Sequence, residues 1–337
     1  MTVLTFSNAG KVRTDRPELP ECEKPTPSSG DSRSLSYLAH FGLDEAPFGL
    51  TPDTDFFFAS SPHQEALNTL LYALENGEGF IKIVGAVGTG KTLLCRTLLA
   101  SLPAHCRAVY LPNPALDPSG ILFAVAEEMG LKLTGDESHY RVHKAILSRL
   151  IALAQHDIHV VLIVDEAQAI SRESLEAVRL LSNLETEKRK LLTIVLFGQP
   201  ELDAQLDAIP QFKTRISFHD RLRPLTRDEL GAYLEHRLRQ AGLSPDRILP
   251  FSPAAIKALF AASAGVPRVA NVIAHKALML AYGKGLPRVG RSELQIAAHD
   301  TLAARSPRHV RAWRLLAVGA LASGLLAGGW YLGTLTA

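Results

Sequence analysis

The sequence predicts an α/β domain on a parallel sheet with helices on both faces. A small all-helical domain and one apolar segment of membrane-spanning length follow it. Three observations carry this reading. The runs Phe80–Val84, Val160–Val164 and Leu192–Phe197 are continuously apolar or nearly so, and amphipathic stretches separate them. Strands buried on both faces read this way, and their alternation with helices implies a parallel sheet. Beyond Pro224 the strand signals stop and helix-cap patterns begin. Finally, residues 315–335 carry no charged side chain, and about 20 apolar residues cross a hydrocarbon core of ~30 Å.

Composition narrows the field without choosing a function. The chain has 337 residues, 47% hydrophobic and 21% charged. That length suits about two domains, and the balance excludes a mainly disordered or fibrous protein. With 36 Lys+Arg against 34 Asp+Glu the net charge is +2, so no bulk field draws the chain to nucleic acid. Cys22, Cys95 and Cys106 form no C-x-x-C pair, which argues against a disulfide framework or a cysteine zinc site and fits a reducing compartment. The N-terminus has no basic region followed by an apolar core, so a secretory signal is not expected.

Residues 1–36 are read as a disordered tail. They are poor in apolar side chains and carry Pro17, Pro20, Pro25 and Pro27, too little to offset the entropy of ordering. Residues 37–224 form the α/β core. Arg107–Leu111 and Ile216–Phe218 are its weaker strand candidates, and Leu175, Val178, Leu181 and Leu184 recur on one helical face. Residues 225–304 form the helical domain. Thr226 with Glu229 makes a capping box and Gly242 ends that helix, with Leu230, Tyr233, Leu234 and Leu238 as its apolar face. Ser252 caps a second helix with Pro253 at its first position. A third runs from Pro267 to about Tyr282 and a fourth starts near Ser292.

Residues 305–314 are a basic juxtamembrane segment with Arg305, Arg308, Arg311 and Arg314. No basic residue follows the apolar segment 315–335, so the positive-inside rule places the N-terminal bulk in the cytoplasm. Trp313 and the pair Trp330-Tyr331 stand near its two edges, where interfacial aromatics sit. Gly324 and Gly328 have the spacing that lets membrane helices approach closely.

The chemistry concentrates at three strand ends. Gly85-Ala86-Val87-Gly88-Thr89-Gly90-Lys91-Thr92 matches G-x-x-x-x-G-K-[ST] directly after one strand, and a helix begins through Leu93. Glycines let backbone N–H groups curl around phosphates, and the helix N-terminus adds its positive dipole end. Lys91 supplies a point charge for the β- and γ-phosphates, and the Thr92 hydroxyl can ligate Mg²⁺. The run Val160–Val164 ends in Asp165-Glu166. Asp165 fits a Mg²⁺ ligand acting through water, and Glu166 fits the residue that orients or activates attacking water. The third run ends at Gln199, whose amide can read the γ-phosphate or position water.

On these residues the chain resembles an AAA+ ATPase. The segments Tyr37–Leu43, Pro47-Phe48 and Thr51-Pro52-Asp53 look like the leading segment of the family typified by general secretion pathway protein A. Asn183–Glu187 and Leu196–Leu202 resemble its branch that serves mannose-sensitive haemagglutinin (MSHA) pilus biogenesis. The resemblance covers about residues 37–299. It implies a P-loop NTPase fold with a helical lid, ATP and Mg²⁺ as ligands, and a homo-oligomer. It also implies hydrolysis coupled to assembly of an envelope machine at the bacterial inner membrane, here a type IV pilus or related secretion machine. It suggests Arg215 as an arginine finger acting on a neighbouring subunit, with Arg221 and Arg223 as competitors. It further suggests Arg268, at a lid helix start, as a sensor of the γ-phosphate. Two rival readings share the motifs. One is a DNA-acting AAA+ protein of the transposition target-selecting kind, against which the apolar segment argues. The other is a slow nucleotide switch or scaffold, against which Glu166 argues.

Overall fold

A computed structural model of the chain describes residues 35–49, 51, 53–135, 137–185 and 190–301. The N-terminal tail, the basic segment 305–314 and the apolar segment 315–335 lie outside the described residues. Among those described, no helix is long and apolar enough to cross a membrane.

The chain runs α1 (Leu35–Phe41), α2 (Ser61–Glu75), β1 (Phe80–Gly85), α3 (Lys91–Ser101), β2 (Cys106–Leu111), α4 (Pro118–Glu128), α5 (His139–Gln155), β3 (His159–Val164), α6 (Arg172–Leu181), β4 (Leu192–Gly198), α7 (Glu201–Asp207), α8 (Pro210–Lys213) and β5 (Phe218–Leu222). The helices α9 (Arg227–Gln240), α10 (Pro253–Ser263), α11 (Pro267–Gly283) and α12 (Arg291–His299) follow. Single 3₁₀ turns lie at Thr54–Phe56 and Ala167–Ala169.

The five strands pair in parallel in the order β2-β3-β4-β1-β5. The period-2 pleat explains why the central runs are apolar throughout. Phe80 and Val84 of β1, Val160 and Leu162 of β3, and Ile194 and Leu196 of β4 join one core with α4, α5 and α6. Ile81 and Ile83, Val161 and Ile163, and Val195 and Phe197 join the opposite core with α2 and α3. Lys82 points to the first face and is only 8% exposed, because its ammonium meets Asp203 of α7 at 2.6 Å.

Two sequence expectations shift. The fifth strand is Phe218–Leu222 rather than 216–218. Ile216 instead packs against the core, and Ser217 N–H donates to the Phe80 carbonyl. The strand itself, Phe-His-Asp-Arg-Leu, lies at the sheet edge with His219 and Arg221 exposed, and a charged edge is a usual guard. The helix carrying Leu175, Val178 and Leu181 ends at Leu181. Leu184 is buried all the same, from the turn that follows.

The helical domain forms as its caps predict. The Thr226–Glu229 capping box is complete, Ser252 accepts from the Ala255 N–H, and Pro253 and Pro267 open their helices. Its core, however, takes in more than residues 225–304. Tyr37, Phe41, Phe48 and Phe56 pack in the same cluster as Leu234, Phe251 and Ile273. The alternating sequence pattern that begins at Tyr37 places residues 37–56 with the α/β core. Their aromatic side chains bury against the lid instead, and Arg237 Nε of α9 donates to the Pro47 carbonyl at 2.6 Å. The leading segment thus straps the lid to the chain that enters the sheet.

Candidate functional site

Strand register brings the chemistry together. Val84 pairs with Gly198, and Val164 pairs with Leu196. The residues just past those pairs, Gly85, Asp165-Glu166 and Gln199, therefore emerge at one level on the carboxyl edge of the sheet. Ligands of open parallel sheets bind at this edge.

The loop after β1 carries α3, which starts at Lys91 with Gly90 as its N-cap. Gly88 has φ +80°, and a Cβ there would stand 2.7 Å from the Arg268 Cβ and 3.2 Å from Val266 Cγ1. Only glycine accepts both that backbone angle and that approach. The contact is also the seam between loop and lid, since Arg268 N–H donates to the Gly88 carbonyl at 3.3 Å. The α11 N-terminus thus sits over the loop with Arg268 at its first turn.

Lys91 is buried, and its ammonium donates to the Gly85 and Ala86 carbonyls at 2.8 and 3.2 Å. Burial lowers its pKa, while Glu166, Asp165 and Glu201 pull it back up. Asp165 is 3% exposed. Burial raises its pKa, opposed by the Glu166 N–H at 2.9 Å and by a hydrogen bond with the Thr92 side chain. Thr92 and Asp165 are thus in contact, a hydroxyl and a carboxylate side by side, which is a donor set that suits Mg²⁺. Glu166 adopts a left-handed backbone, φ +50° and ψ 38°, a conformation non-glycine residues keep mainly at functional sites. Its Oε2 accepts from Gln168 Nε2 at 2.5 Å and from Gln199 Nε2 at 3.4 Å.

Lys91, Thr92, Glu166 and Gln199 line one cavity of about 330 Å³ between the sheet edge and the lid, with Asp165 behind Thr92. Gly88, Gly90, Lys91, Thr92, Leu93, Glu166 and Gln199 form its lower wall, and Arg268, Asn271 and Tyr233 its upper one. The leading segment closes one end through Gly49, Thr51 and Asp53. Phe56 packs under the Arg237 guanidinium, 4.4 Å from its ring centroid, so Phe56, Phe57 and Phe58 serve packing. The cradle of backbone N–H groups, the buried cation and the hydroxyl–carboxylate pair fit a nucleotide triphosphate with Mg²⁺.

The three arginines considered as fingers stand elsewhere. Arg215 Nη1 donates to Ser182 Oγ at 2.9 Å. Arg221 meets Asp203 at 2.7 Å, and Arg223 meets both oxygens of Glu229. None lines the cavity of its own chain.

Two residues escaped the sequence reading. Gln168 bridges Glu166 and the Gln199 backbone. His63, on α2, is 6% exposed, and its Nε2 lies 2.9 Å from the Thr89 carbonyl. A carbonyl only accepts, so Nε2 carries the proton and the Ser60 hydroxyl donates to Nδ1 at 2.7 Å. His63 therefore buttresses the loop from behind. Burial lowers its pKa, with the Thr89 bond opposing. Gln168 had a weak signal in its place two residues after Glu166, whereas His63 had none.

Residues 74–206 match the family model described as AAA domain. The cavity is built on that stretch and roofed by the lid, so the candidate site belongs to an AAA domain. Among curated proteins the chain is similar to general secretion pathway protein A of Aeromonas hydrophila, 36% identical over 299 residues, which are 88% of this chain and 53% of that protein. The chain spans about half the length of that relative. Among solved structures, Cdc6p from Pyrobaculum aerophilum matches with a TM-score of 0.58 at 19% identity, over 77% of this chain and 73% of that one. The Aeropyrum pernix ORC2 protein matches with a TM-score of 0.56 at 19% identity, over 76% and 73%. At such identity these two report the shared fold.

Proposed function

We propose that this chain is a membrane-anchored ATPase. It binds ATP–Mg²⁺ between sheet and lid, hydrolyses it, and passes the resulting lid movement to an envelope assembly partner. The observation that carries the reading is the single cavity in which Lys91, Thr92, Glu166, Gln199 and Arg268 share the walls. In this reading Thr92 and Asp165 would hold Mg²⁺, which when bound neutralises charge on the phosphate oxygens. Lys91 leaves the loop carbonyls for the β- and γ-phosphates. Glu166 takes the proton from the attacking water, oriented with Gln199. Arg268 reports the γ-phosphate to the lid, because its own backbone is bonded to the loop at Gly88.

The likeness to general secretion pathway protein A supports partners in a secretion-type machine, and the MSHA-like segments favour a type IV pilus. The apolar segment 315–335 with its preceding arginines supports a single-pass anchor in the bacterial inner membrane, with the ATPase on the cytoplasmic side.

Arg215 lines no part of its own cavity. A role in catalysis therefore requires a second subunit, with Arg215 exchanging Ser182 for the neighbour's transferred phosphate. The test is ATP turnover per chain across protein concentration. Turnover that rises with concentration, and loses that rise in Arg215→Ala, supports sites completed between subunits. Turnover per chain that is flat and unaffected by Arg215→Ala refutes the finger.

A further inference from the structure

We propose that Gln168 is a positioning residue for hydrolysis, clamping Glu166 to the end of β4 so that the water-activating carboxylate and the γ-phosphate-sensing amide move as one unit. The inference rests on the reading of Glu166 as the residue that activates water.

The geometry determines which way the Gln168 amide faces. The Gln199 backbone N–H lies 2.9 Å from one Gln168 side-chain terminus. An N–H can only donate, so that terminus is the carbonyl oxygen, and the –NH₂ group is left facing Glu166 Oε2 at 2.5 Å. An ionised carboxylate can only accept, so both ends of the amide are matched in one orientation and neither would be in the other. The Gln168 backbone is held as well, because Gln205 Nε2 of α7 donates to its carbonyl at 3.0 Å. Gln168 thus spans three elements: the turn after β3, the end of β4, and α7.

This clamp acts on the one group of the site in a strained backbone. Glu166 sits at φ +50°, so its side-chain direction depends on what holds it. Gln168 and Gln199 both grip Oε2, and the second oxygen is the one left to face a water. Gln199 is tied to Gln168 through its backbone and to Glu166 through its side chain. The three residues close a ring of hydrogen bonds. A shift of Gln199 toward a phosphate therefore carries Glu166 with it. Misplacing a reacting group by ~1 Å costs on the order of 100-fold in rate.

The test uses the full-length chain and compares the parent with Gln168→Met, Gln168→Glu, Glu166→Gln and the double variant Glu166→Gln with Gln168→Met. Methionine keeps the length and removes both bonds. Glutamate keeps an acceptor for the Gln199 N–H and replaces the donor to Glu166 with a second carboxylate, which repels it. ATP affinity is read with a fluorescent ATP analogue, and turnover with Mg²⁺–ATP. The clamp predicts that both single variants at Gln168 lose about 10- to 100-fold in kcat, with affinity within about twofold. It also predicts that Gln168→Met changes turnover by less than about twofold once Glu166 is already glutamine, since coupled residues are not additive.

Parental kcat in Gln168→Glu overturns the inference, because the residue then only caps the β4 end. So does parental kcat in Gln168→Met. An equal loss in the Glu166→Gln background, or a parallel loss of affinity, shows a purely structural role and overturns it too. A parent that binds but never turns over ATP overturns the reading of Glu166 together with the clamp. A parent that loses turnover in Glu166→Gln but keeps it in both Gln168 variants overturns the clamp alone.

Discussion

Gly265→Ala tests whether the chain leaving β5 is packed against the α10–α11 turn as closely as the structure implies. Gly265 lies in the turn between α10 and α11, at φ +77°. A Cβ there would stand 2.0 Å from the Leu225 carbonyl oxygen, a backbone atom that no side-chain rotation can move. Real contacts of this kind begin above 3 Å, so the two segments must part by about 1 Å. The left-handed backbone alone costs alanine ~1–2 kcal/mol. Parting the segments breaks the Leu225 N–H to Gly265 carbonyl bond of 2.9 Å. Leu225 is 3% exposed, and an unsatisfied buried donor costs ~1–3 kcal/mol. A loss of about 2–5 kcal/mol follows, with weaker ATP binding, because Arg268 is only three residues further on. Urea denaturation of parent and variant, with ATP affinity measured alongside, reads both effects. A loss below about 1 kcal/mol with unchanged affinity would refute the argument that this backbone contact sets the lid.

Two more outcomes follow from the charges. Arg223 and the capping-box amide hold the Glu229 pKa down to about 2, below its ordinary 4.5. Its contribution is present above the unfolded value and is lost as pH falls from about 5 toward 2. Glu229→Gln should therefore cost ~1–2 kcal/mol at neutral pH and flatten the acid limb of a stability–pH curve; an unchanged acid limb counts against the assignment. Asp165, by contrast, has its pKa raised by burial, so its charge is a burden on the folded state at neutral pH and the burden lifts on acidification. Asp165→Asn should raise nucleotide-free stability by ~0.5–2 kcal/mol while abolishing the further stabilisation by Mg²⁺–ATP. A thermal melt with and without Mg²⁺–ATP checks both halves.

What could be read in the sequence was what is local. The loop from Gly85 to Thr92, the acidic end of β3 and the helix caps at Thr226 and Ser252 are each determined within a few residues, and each stands where expected. What could not be read depends on tertiary pairing. Tyr37 meets His275 across the lid core, 238 residues away in the chain, and no periodicity reports that. His63 reaches Thr89 only because α2 packs beside α3. Gln168 gains its meaning from Gln199, 31 residues on, through strand register alone. The strand β5 was misplaced by two residues because Ile216 is apolar and yet serves the core from a turn, while an edge strand needs few apolar side chains.

The proposed function turns on Glu166, at the cavity floor, activating water for ATP hydrolysis. The most direct measurement compares Glu166→Gln with the parent for ATP affinity and Mg²⁺–ATP turnover under the same conditions. Affinity should stay within a few-fold of the parent and turnover should fall by ~10²–10⁴, the usual contribution of a positioned general base. Equal turnover in the two chains would contradict it, and would leave a nucleotide-binding fold whose hydrolysis, if any, does not pass through this carboxylate.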